Sequence, residues 1–216
     1  MSIKENLLEL KLTIPKNVTL VAVSKTKPVP DLIEAYEAGQ RVFGENKVQE
    51  MADKYQQLPK DIEWHMIGHV QSNKVKNMAA FVCLIHGVDS LGLLEEINKQ
   101  ALKHNRIIDC LLQLHIAAEE TKFGLNEQEM IEILDSAELK DLKNIQIKGM
   151  MGMATFTDDQ EQIKKEFMNL KGIFDRAKTA HSELETLSMG MSGDYRLAIE
   201  CGSTMVRIGS RIFGGK

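Results

Sequence analysis

VTLVAVSK, residues 18–25, is a run of β-branched and small apolar residues that ends at a lysine. This composition is typical of a buried β-strand. Because side chains alternate between the two faces of a strand, Val21, Val23 and Lys25 are expected to share one face. Two alternatives follow for the lysine. Either the strand simply ends at the protein surface, or it holds Lys25 at the mouth of a pocket.

The alternation of a short apolar segment with a helical pattern recurs along all 216 residues. Strands are predicted at residues 18–25, 42–45, 63–68, 81–89, 107–116, 145–153, 186–191 and 205–208. Helices are predicted at residues 30–39, 46–57, 71–80, 90–103, 126–139, 158–180 and 193–200. Eight such units favour the α/β class and a closed (β/α)8 TIM barrel of parallel strands. An open doubly wound sheet is the alternative, but no glycine-rich dinucleotide fingerprint follows the first strand.

The composition is that of an ordinary globular protein, with 43% hydrophobic and 27% charged residues. A formal net charge of −4 with interspersed acids and bases argues against a nucleic-acid binder. The sequence contains no run of 18 apolar residues, so no transmembrane helix is predicted. The three cysteines lie far apart in apolar segments, so we expect free thiols in a reducing cytoplasm. No domain linker is evident, and we expect one domain over residues 1–216.

Lys25 is the first candidate for chemistry. Functional groups of TIM barrels lie at the C-terminal ends of the strands, which would place Lys25 at the top of the inner face. Apolar walls favour the neutral form of a lysine amine, which can attack a carbonyl carbon and form a Schiff base. The alternative is an ordinary solvated lysine at the start of a surface loop.

Two segments near the C-terminus are typical of phosphate sites. Ser192 follows predicted strand seven and precedes a helical pattern, so we expect it at a helix N-terminus. Gly209 and Ser210 follow predicted strand eight and would expose backbone N–H groups. N–H donors and hydroxyls of this kind can hold a phosphate dianion. The alternative is that Ser192 is an ordinary N-cap and Gly209 an ordinary turn residue.

Arg207 lies two residues before Gly209, so both point to the same side of the predicted strand. An arginine inside a small barrel needs a partner, because an unpaired buried charge is costly. A ligand ring nitrogen, a ligand carboxylate or an acid at the barrel mouth such as Glu45 would serve.

The segment WHMIGH, residues 64–69, places His65 and His69 four residues apart, which invites comparison with zinc-binding motifs. The HExxH motif needs both histidines on one helix with a glutamate between them. Here His65 lies in a predicted strand and Gly68 marks a turn, so we expect no metal site. Neither a P-loop nor a G-x-S-x-G nucleophile motif is present.

Seven motifs occur in order along the chain and together resemble those of one known family. They are AVSKTKP (22–28), FGENKVQE (43–50), HMIGHVQSNK (65–74), EETKFG (119–124), KGMM (148–151), SMGMSGD (188–194) and GSTMVRIGSRIFG (202–214). Through these motifs the chain resembles the pyridoxal phosphate homeostasis proteins, also known as YggS or PROSC-type proteins that bind pyridoxal 5′-phosphate (PLP). The resemblance covers residues 22–214.

The resemblance implies a single barrel domain like the N-terminal domain of alanine racemase, with PLP bound as a Schiff base. It also implies a role for each matching position. Those positions are Lys25 for the Schiff base; Ser192, Gly209 and Ser210 for the phosphate; Arg207 for the pyridine nitrogen; Asn46 and Met151 near the ring; and His65 at the mouth.

His115 departs from the family pattern, which usually has Asn at this position, after the Gln of strand five. If this residue contacts the cofactor or its neighbours, the local hydrogen bonding differs here. We therefore assign no role to His115.

The expected position of Arg207 bears on reactivity. A positive guanidinium disfavours the protonated ring nitrogen that makes PLP a good electron acceptor. Racemisation also needs an acid–base group on the opposite face, which alanine racemase-like enzymes take from a tyrosine of a second domain and a partner subunit. We expect only the barrel domain in these 216 residues, and the tyrosines, Tyr36, Tyr55 and Tyr195, fall in helical patterns. We expect PLP binding with little amino-acid chemistry.

The resemblance implies a role in PLP homeostasis, with PLP-dependent apoenzymes as recipients and indirect effects on amino-acid and keto-acid metabolism. We expect a cytoplasmic protein from its free thiols, and a monomer because a self-sufficient site permits one. We expect neither a nucleic-acid nor a membrane partner. One alternative is a weak PLP-dependent racemase or lyase with an unknown substrate. Another is a barrel protein that binds a different phosphorylated metabolite.

Overall fold

The computed structural model describes residues 2–119 and 123–214, and its centre is a closed barrel of eight parallel strands. Each strand pairs with the next, and β8 pairs with β1 to close the barrel. The predicted (β/α)8 barrel is confirmed, and the open doubly wound sheet is excluded. The strands are β1 (Thr19–Val23), β2 (Val42–Glu45), β3 (Glu63–Met66), β4 (Val82–Val88), β5 (Ile108–Leu114), β6 (Ile145–Gly152), β7 (Thr186–Ser188) and β8 (Met205–Ile208).

Helices lie between the strands and pack around the barrel. They are α1 (Ile3–Leu12), α2 (Val29–Glu37), α3 (Val48–Gln57), α4 (Leu91–Lys103), α5 (Glu127–Asp135), α6 (Ala137–Asp141), α7 (Gln160–Ala180), α8 (Tyr195–Glu200) and α9 (Ser210–Phe213). A short 3₁₀ helix, Ser72–Asn77, takes the place of the α-helix predicted at residues 71–80. Within the described part of the chain, no helix is both long enough and apolar enough to span a membrane.

Several predicted bounds differ from those of the structure, and two of the differences have reasons visible in the backbone. The single helix predicted at residues 126–139 is two helices, because Ser136 is extended and its side chain accepts a hydrogen bond from the Leu139 amide as the N-cap of α6. Predicted strand one ends at Val23 instead of Lys25. Only the Ser24 amide continues the pairing, through a bond to the Gly44 carbonyl.

Two layers of apolar side chains stabilise the barrel. The outer layer lies between the strands and the helices and includes Trp64 and Phe167, both fully buried. The inner layer fills the barrel itself and consists of one side chain from each of five strands, namely Val21, Leu84, Leu111, Met151 and Met205. This packed interior closes the lower part of the barrel and leaves polar groups for its upper, C-terminal end.

The cysteines are free thiols, as expected. Cys110 and Cys201 are buried, and Cys83 is partly buried. Burial raises the pKa of the Cys110 thiol, which keeps it protonated and unreactive.

Gly149 in β6 lies very close to the backbone of β7. A Cβ atom on this residue would lie 1.8 Å from the carbonyl oxygen of Thr186 in β7. Backbone atoms cannot move aside as a flexible side chain would, so any larger residue must push β6 and β7 apart. Glycine is therefore required here by contact as well as by its φ of 157°.

We expect Gly149→Ala to lower the free energy of unfolding by roughly 3 kcal/mol, because the added methyl group overlaps the Thr186 carbonyl. Urea unfolding measures the change. Gly92→Ala is the matched control, since nothing lies within 4 Å of a Cβ at Gly92 in α4. The control should be neutral or stabilising by up to about 1 kcal/mol. Equal stabilities of the two variants would contradict the proposed backbone contact.

Candidate functional site

A cavity of about 710 Å³ opens at the C-terminal ends of the barrel strands. Its walls bring together residues that are far apart in the sequence, and Val23 and Ile67 supply apolar surface. Six of the eight predicted site residues line it: Lys25, Asn46, Ser192, Arg207, Gly209 and Ser210. The volume is within the range of small-molecule sites in proteins.

Lys25 stands at the first corner of a tight turn that follows β1. The Lys27 amide donates to the Ser24 carbonyl at 3.1 Å and closes this turn. Val21 packs in the barrel interior, whereas Val23 and Lys25 line the cavity above it. The predicted alternation therefore holds, and the exposed Lys25 side chain lies in the cavity wall instead of entering a remote surface loop.

The turns after β7 and β8 are joined to each other. The Gly209 amide donates to Ser192 Oγ at 3.3 Å, and Arg211 Nε donates to the Ser192 carbonyl at 2.7 Å. Gly209 is the N-cap of α9, and Ser210 is its first residue. Hydroxyls and backbone N–H groups thus meet at one end of the cavity, which suits an anion.

Ser192 itself does not lie at a helix N-terminus, and that expectation is wrong. Helix α8 begins at Tyr195, three residues later. A turn intervenes because the Met191 amide donates to Asp194 Oδ1 at 2.5 Å and the Asp194 amide donates back to the Met191 carbonyl at 3.2 Å.

Arg207 is 4% exposed at the floor of the cavity. Its Nη1 donates to Ser188 Oγ at 2.5 Å, and its Nη2 donates to the Gly152 carbonyl at 3.1 Å. Glu45, which we considered as an ionic partner, instead accepts from Lys54 and Ser24. Burial lowers the pKa of Arg207 to about 10, so the guanidinium stays positive at neutral pH.

A chain of buried polar groups leads downward from Arg207. The oxygen of Ser188 lies 3.1 Å from His86 Nδ1, and His86 Nε2 lies 3.1 Å from His65 Nδ1. Because Arg207 can only donate to Ser188, the Ser188 hydroxyl has its own proton for His86 Nδ1. In the tautomer that accepts this proton on Nδ1, His86 carries its own proton on Nε2 and donates to His65. Each bond in this order has one donor and one acceptor, with both imidazoles neutral.

Comparison with known proteins identifies the family of this chain. The family described as "Alanine racemase, N-terminal domain" matches residues 1–216. The pyridoxal phosphate homeostasis protein of Vibrio alginolyticus is 40% identical over 207 residues, which cover 94% of this chain and 88% of that protein. The protein of the same name from Aquifex aeolicus is 39% identical over 90% of this chain and 86% of its own length. The chain belongs to the pyridoxal phosphate homeostasis protein family.

Solved structures agree with this family assignment. PipY of Synechococcus elongatus with PLP bound is 34% identical and has a TM-score of 0.88, with 99% of this chain and 100% of that chain covered. Alanine racemase of Clostridium difficile has a TM-score of 0.83 at 17% identity, with 100% of this chain and 60% of that chain covered. The likeness to alanine racemase shows a shared fold alone.

Two positions expected from the pyridoxal phosphate homeostasis protein family lie elsewhere than we predicted. Met151 packs in the barrel interior, one layer below the cavity, and Met153 lines the cavity in its place. His65 is buried against His86 and does not line the mouth, where His69 lies. Both positions were assigned through the family resemblance, which does not give the height along the barrel axis at which the cavity begins.

His115, the departure from the family pattern, forms a local contact. Its Nε2 lies 2.9 Å from the Glu119 carbonyl, so this nitrogen carries the proton and donates. The contact links two residues of the segment after β5. Of the EETKFG motif, residues 120–122 lie outside the described residues. Phe123 of that motif stacks on His69 with 4.8 Å between ring centroids, and both residues line the cavity.

The sequence analysis missed several polar groups around Arg207. His86 shares a strand face with Leu84, and Gln113 shares one with Leu111, so alternation could have placed both inside the barrel. No comparable signal identifies Ser188 as the partner of Arg207, because that contact joins two strands and depends on their relative register.

The buried histidines predict a pH dependence of stability. Burial lowers the pKa of His65 from 6.5 to about 3. Between these pH values the unfolded chain binds a proton at His65 and the folded chain does not. Stability is therefore lost as pH falls below about 6.5. In urea unfolding between pH 4 and pH 6, we expect His65→Gln to flatten the slope by up to about 1.4 kcal/mol per pH unit.

The matched control for this experiment is His104→Gln, which removes an exposed imidazole. Part of the slope should remain in the His65 variant, because burial, His65 and Arg207 also hold the pKa of His86 well below its ordinary value. An unchanged slope in His65→Gln would show that His65 takes up its proton without unfolding.

Proposed function

We propose that the chain binds PLP as a Schiff base on Lys25 and takes part in intracellular PLP homeostasis. The observation that carries this proposal is the meeting of Lys25, the joined turns at Ser192 and Gly209, and Arg207 in one cavity. Its support from relatives is the name shared by the curated proteins and the PLP-bound structure of PipY.

The donor set at one end of the cavity fits a phosphate dianion. Ser192 and Ser210 offer hydroxyls, and the backbone after β8 offers N–H groups. A Cβ at Gly209 would lie 2.9 Å from the Val23 carbonyl, so the close approach of this turn to β1 requires glycine. In our proposal these three residues bind the phosphate, and this end of the cavity lies beside Lys25.

PLP supplies an aldehyde that condenses with amines and a pyridine ring that accepts electrons when its nitrogen is protonated. Lys25 provides the amine, and Asn46 lies in the wall beside it. The guanidinium of Arg207 has five N–H groups, of which two bond Ser188 and Gly152, so others remain for a ring nitrogen. A positive donor at this place disfavours protonation of that nitrogen.

The proposed role is therefore binding and supply of PLP, and not turnover of amino acids. All three tyrosines are among the described residues, and none lines the cavity. Tyr36 donates to Asp61 on the outside of the barrel, Tyr55 stacks on Phe81, and Tyr195 is buried beside Thr13. None of them is placed to exchange a proton with a ligand above Lys25.

We place the protein in the cytoplasm as a monomer whose whole chain, residues 1–216, forms one PLP-binding domain. Its recipients are PLP-dependent apoenzymes, through which it affects amino-acid and keto-acid metabolism indirectly. The near-complete overlap with proteins of the same family supports the one-domain proposal.

Borohydride reduction of the PLP-loaded protein should fix the cofactor on Lys25, as read by peptide mass spectrometry. Lys25→Arg should abolish the label, because a guanidinium keeps the positive charge but does not deprotonate. Lys27→Arg is the matched control two residues away and should keep the label. A label on any lysine other than Lys25 would refute the site assignment.

We expect the PLP-loaded protein to convert none of a panel of L- and D-amino acids, with enantiomer ratio and keto-acid formation followed by chromatography. The physical reason is the positive Arg207 below the ring nitrogen and the lack of a tyrosine in the described cavity wall. Turnover that disappears in Lys25→Arg would support the alternative of a weak PLP-dependent racemase or lyase.

A further inference from the structure

The turn that carries Lys25 contains an unfavourable backbone conformation. Thr26, the next residue, has a φ of 63°, which turns of this kind normally assign to Gly or Asn. For a residue with a Cβ atom, this region is disfavoured by about tenfold in an equilibrium constant. The surroundings of the turn must therefore hold Thr26 in place.

Three charged side chains lie beneath this turn and bind one another. Glu45 ends β2, whereas Glu50 and Lys54 belong to α3. Lys54 Nζ lies 2.7 Å from Glu45 Oε1 and 2.7 Å from Glu50 Oε1. The Lys54 side chain is 7% exposed and that of Glu45 is 0% exposed, so their ion pair is shielded from water.

This cluster contacts the residues on both sides of Lys25. Ser24 Oγ donates to Glu45 Oε1 at 2.6 Å, and Lys54 Nζ donates to the Ser24 carbonyl at 2.8 Å. On the other side, the Thr26 amide donates to Glu50 Oε1 at 2.6 Å. The backbone is thus fixed immediately before and immediately after Lys25.

The cluster of Glu45, Glu50 and Lys54 contributes little net stability to the fold for the charges that it buries. Desolvation of a buried ion pair offsets most of its attraction, and apolar residues of similar volume often stabilise as well. Burial raises the pKa of Glu45, although hydrogen bonds from Lys54 and Ser24 oppose the shift. Within the described residues, Glu45 Oε2 has no hydrogen-bond partner. Because this desolvation cost gives the fold little net stability, the three charges point to a role in the nearby turn.

We infer that Lys54, Glu45 and Glu50 are positioning residues that hold the turn at Thr26 and thereby direct the Lys25 amine into the cavity. The inference rests on the proposed function, because Lys25 is the residue that reacts with PLP there. Lys54 is the central member, since it bonds both carboxylates and the Ser24 carbonyl. Glu50 controls Thr26 directly.

The first test compares Lys54→Met and Glu50→Ala with the wild-type protein after PLP has been stripped and added back. We expect the borohydride-reducible label on Lys25 to form about tenfold more slowly and PLP to bind about tenfold more weakly, in line with the strain at Thr26. If Lys54→Met does not fold, Glu50→Ala alone provides the test. The Glu50 side chain is 24% exposed, and its loss leaves the buried pair of Lys54 and Glu45 intact.

The second test asks whether the effect passes through Thr26. Glycine adopts a positive φ without strain, so Thr26→Gly should make the cluster less necessary. In a double-mutant cycle, the loss caused by Glu50→Ala should shrink several-fold in the Thr26→Gly background. A purely structural role of Glu50 would give the same loss in both backgrounds and would overturn the inference.

Lys171→Met in α7 is the matched control, because Lys171 forms an ion pair with Asp175 at the same i,i+4 spacing. It should leave labelling of Lys25 unchanged. Lys54→Met and Glu50→Ala proteins that label Lys25 at the wild-type rate would also overturn the inference.

A readout without PLP separates this inference from the proposed function. The Thr26 amide should exchange with deuterium faster in Glu50→Ala than in the wild type, because it loses its acceptor. If wild-type protein never labels Lys25, the proposed function fails while amide exchange still tests the cluster. Equal exchange in both proteins would show that the cluster does not hold Thr26.

Discussion

Closure of the barrel between its first and last strands is the constraint on which the candidate site depends. Val21 pairs with Arg207, and Ala22 pairs with Ile208, although the partners lie more than 180 residues apart in the sequence. Because the strands are parallel, their C-terminal ends meet at the same edge. The lysine after β1 and the glycine–serine turn after β8 therefore become neighbours. Without closure, neither segment would be more than a strand end.

A second constraint acts inside the barrel, where the positive guanidinium of Arg207 is almost completely buried. Arg207 is accommodated by neutral acceptors, the Ser188 hydroxyl and the Gly152 carbonyl, and not by a buried carboxylate. The Asp194 carboxylate in the cavity wall adds a favourable charge interaction, so the guanidinium stays positive at the floor of the cavity. Burial, His65 and that charge hold the pKa of His86 well below its ordinary value, so His86 is neutral and can accept a hydrogen bond from Ser188.

The sequence predicts the elements of this protein well and their contacts less well. Apolar runs identified all eight strands, and alternation placed Val21, Val23 and Lys25 on the correct face. Height along the barrel was not predictable, because it depends on register between neighbours. Met151, expected near the ring, packs in the barrel interior, and His65, expected at the mouth, is buried against His86. The burial of the Lys54 cluster could not be predicted from the sequence either. An i,i+4 ion pair on a helix is usually solvated, and here only the tertiary fold buries it.

The likeness to alanine racemase at 17% identity extends to the fold, so function must be argued from the groups around the cavity. The same barrel can support a catalyst or a carrier. In the proposed function the carrier reading rests on the positive charge of Arg207, which would face the ring nitrogen of bound PLP and disfavour its protonation. In the proposed function, Lys25 must be ready to react when PLP arrives. The strained turn at Thr26, fixed on both sides of Lys25, meets that need because the lysine backbone is ordered before any ligand contact forms.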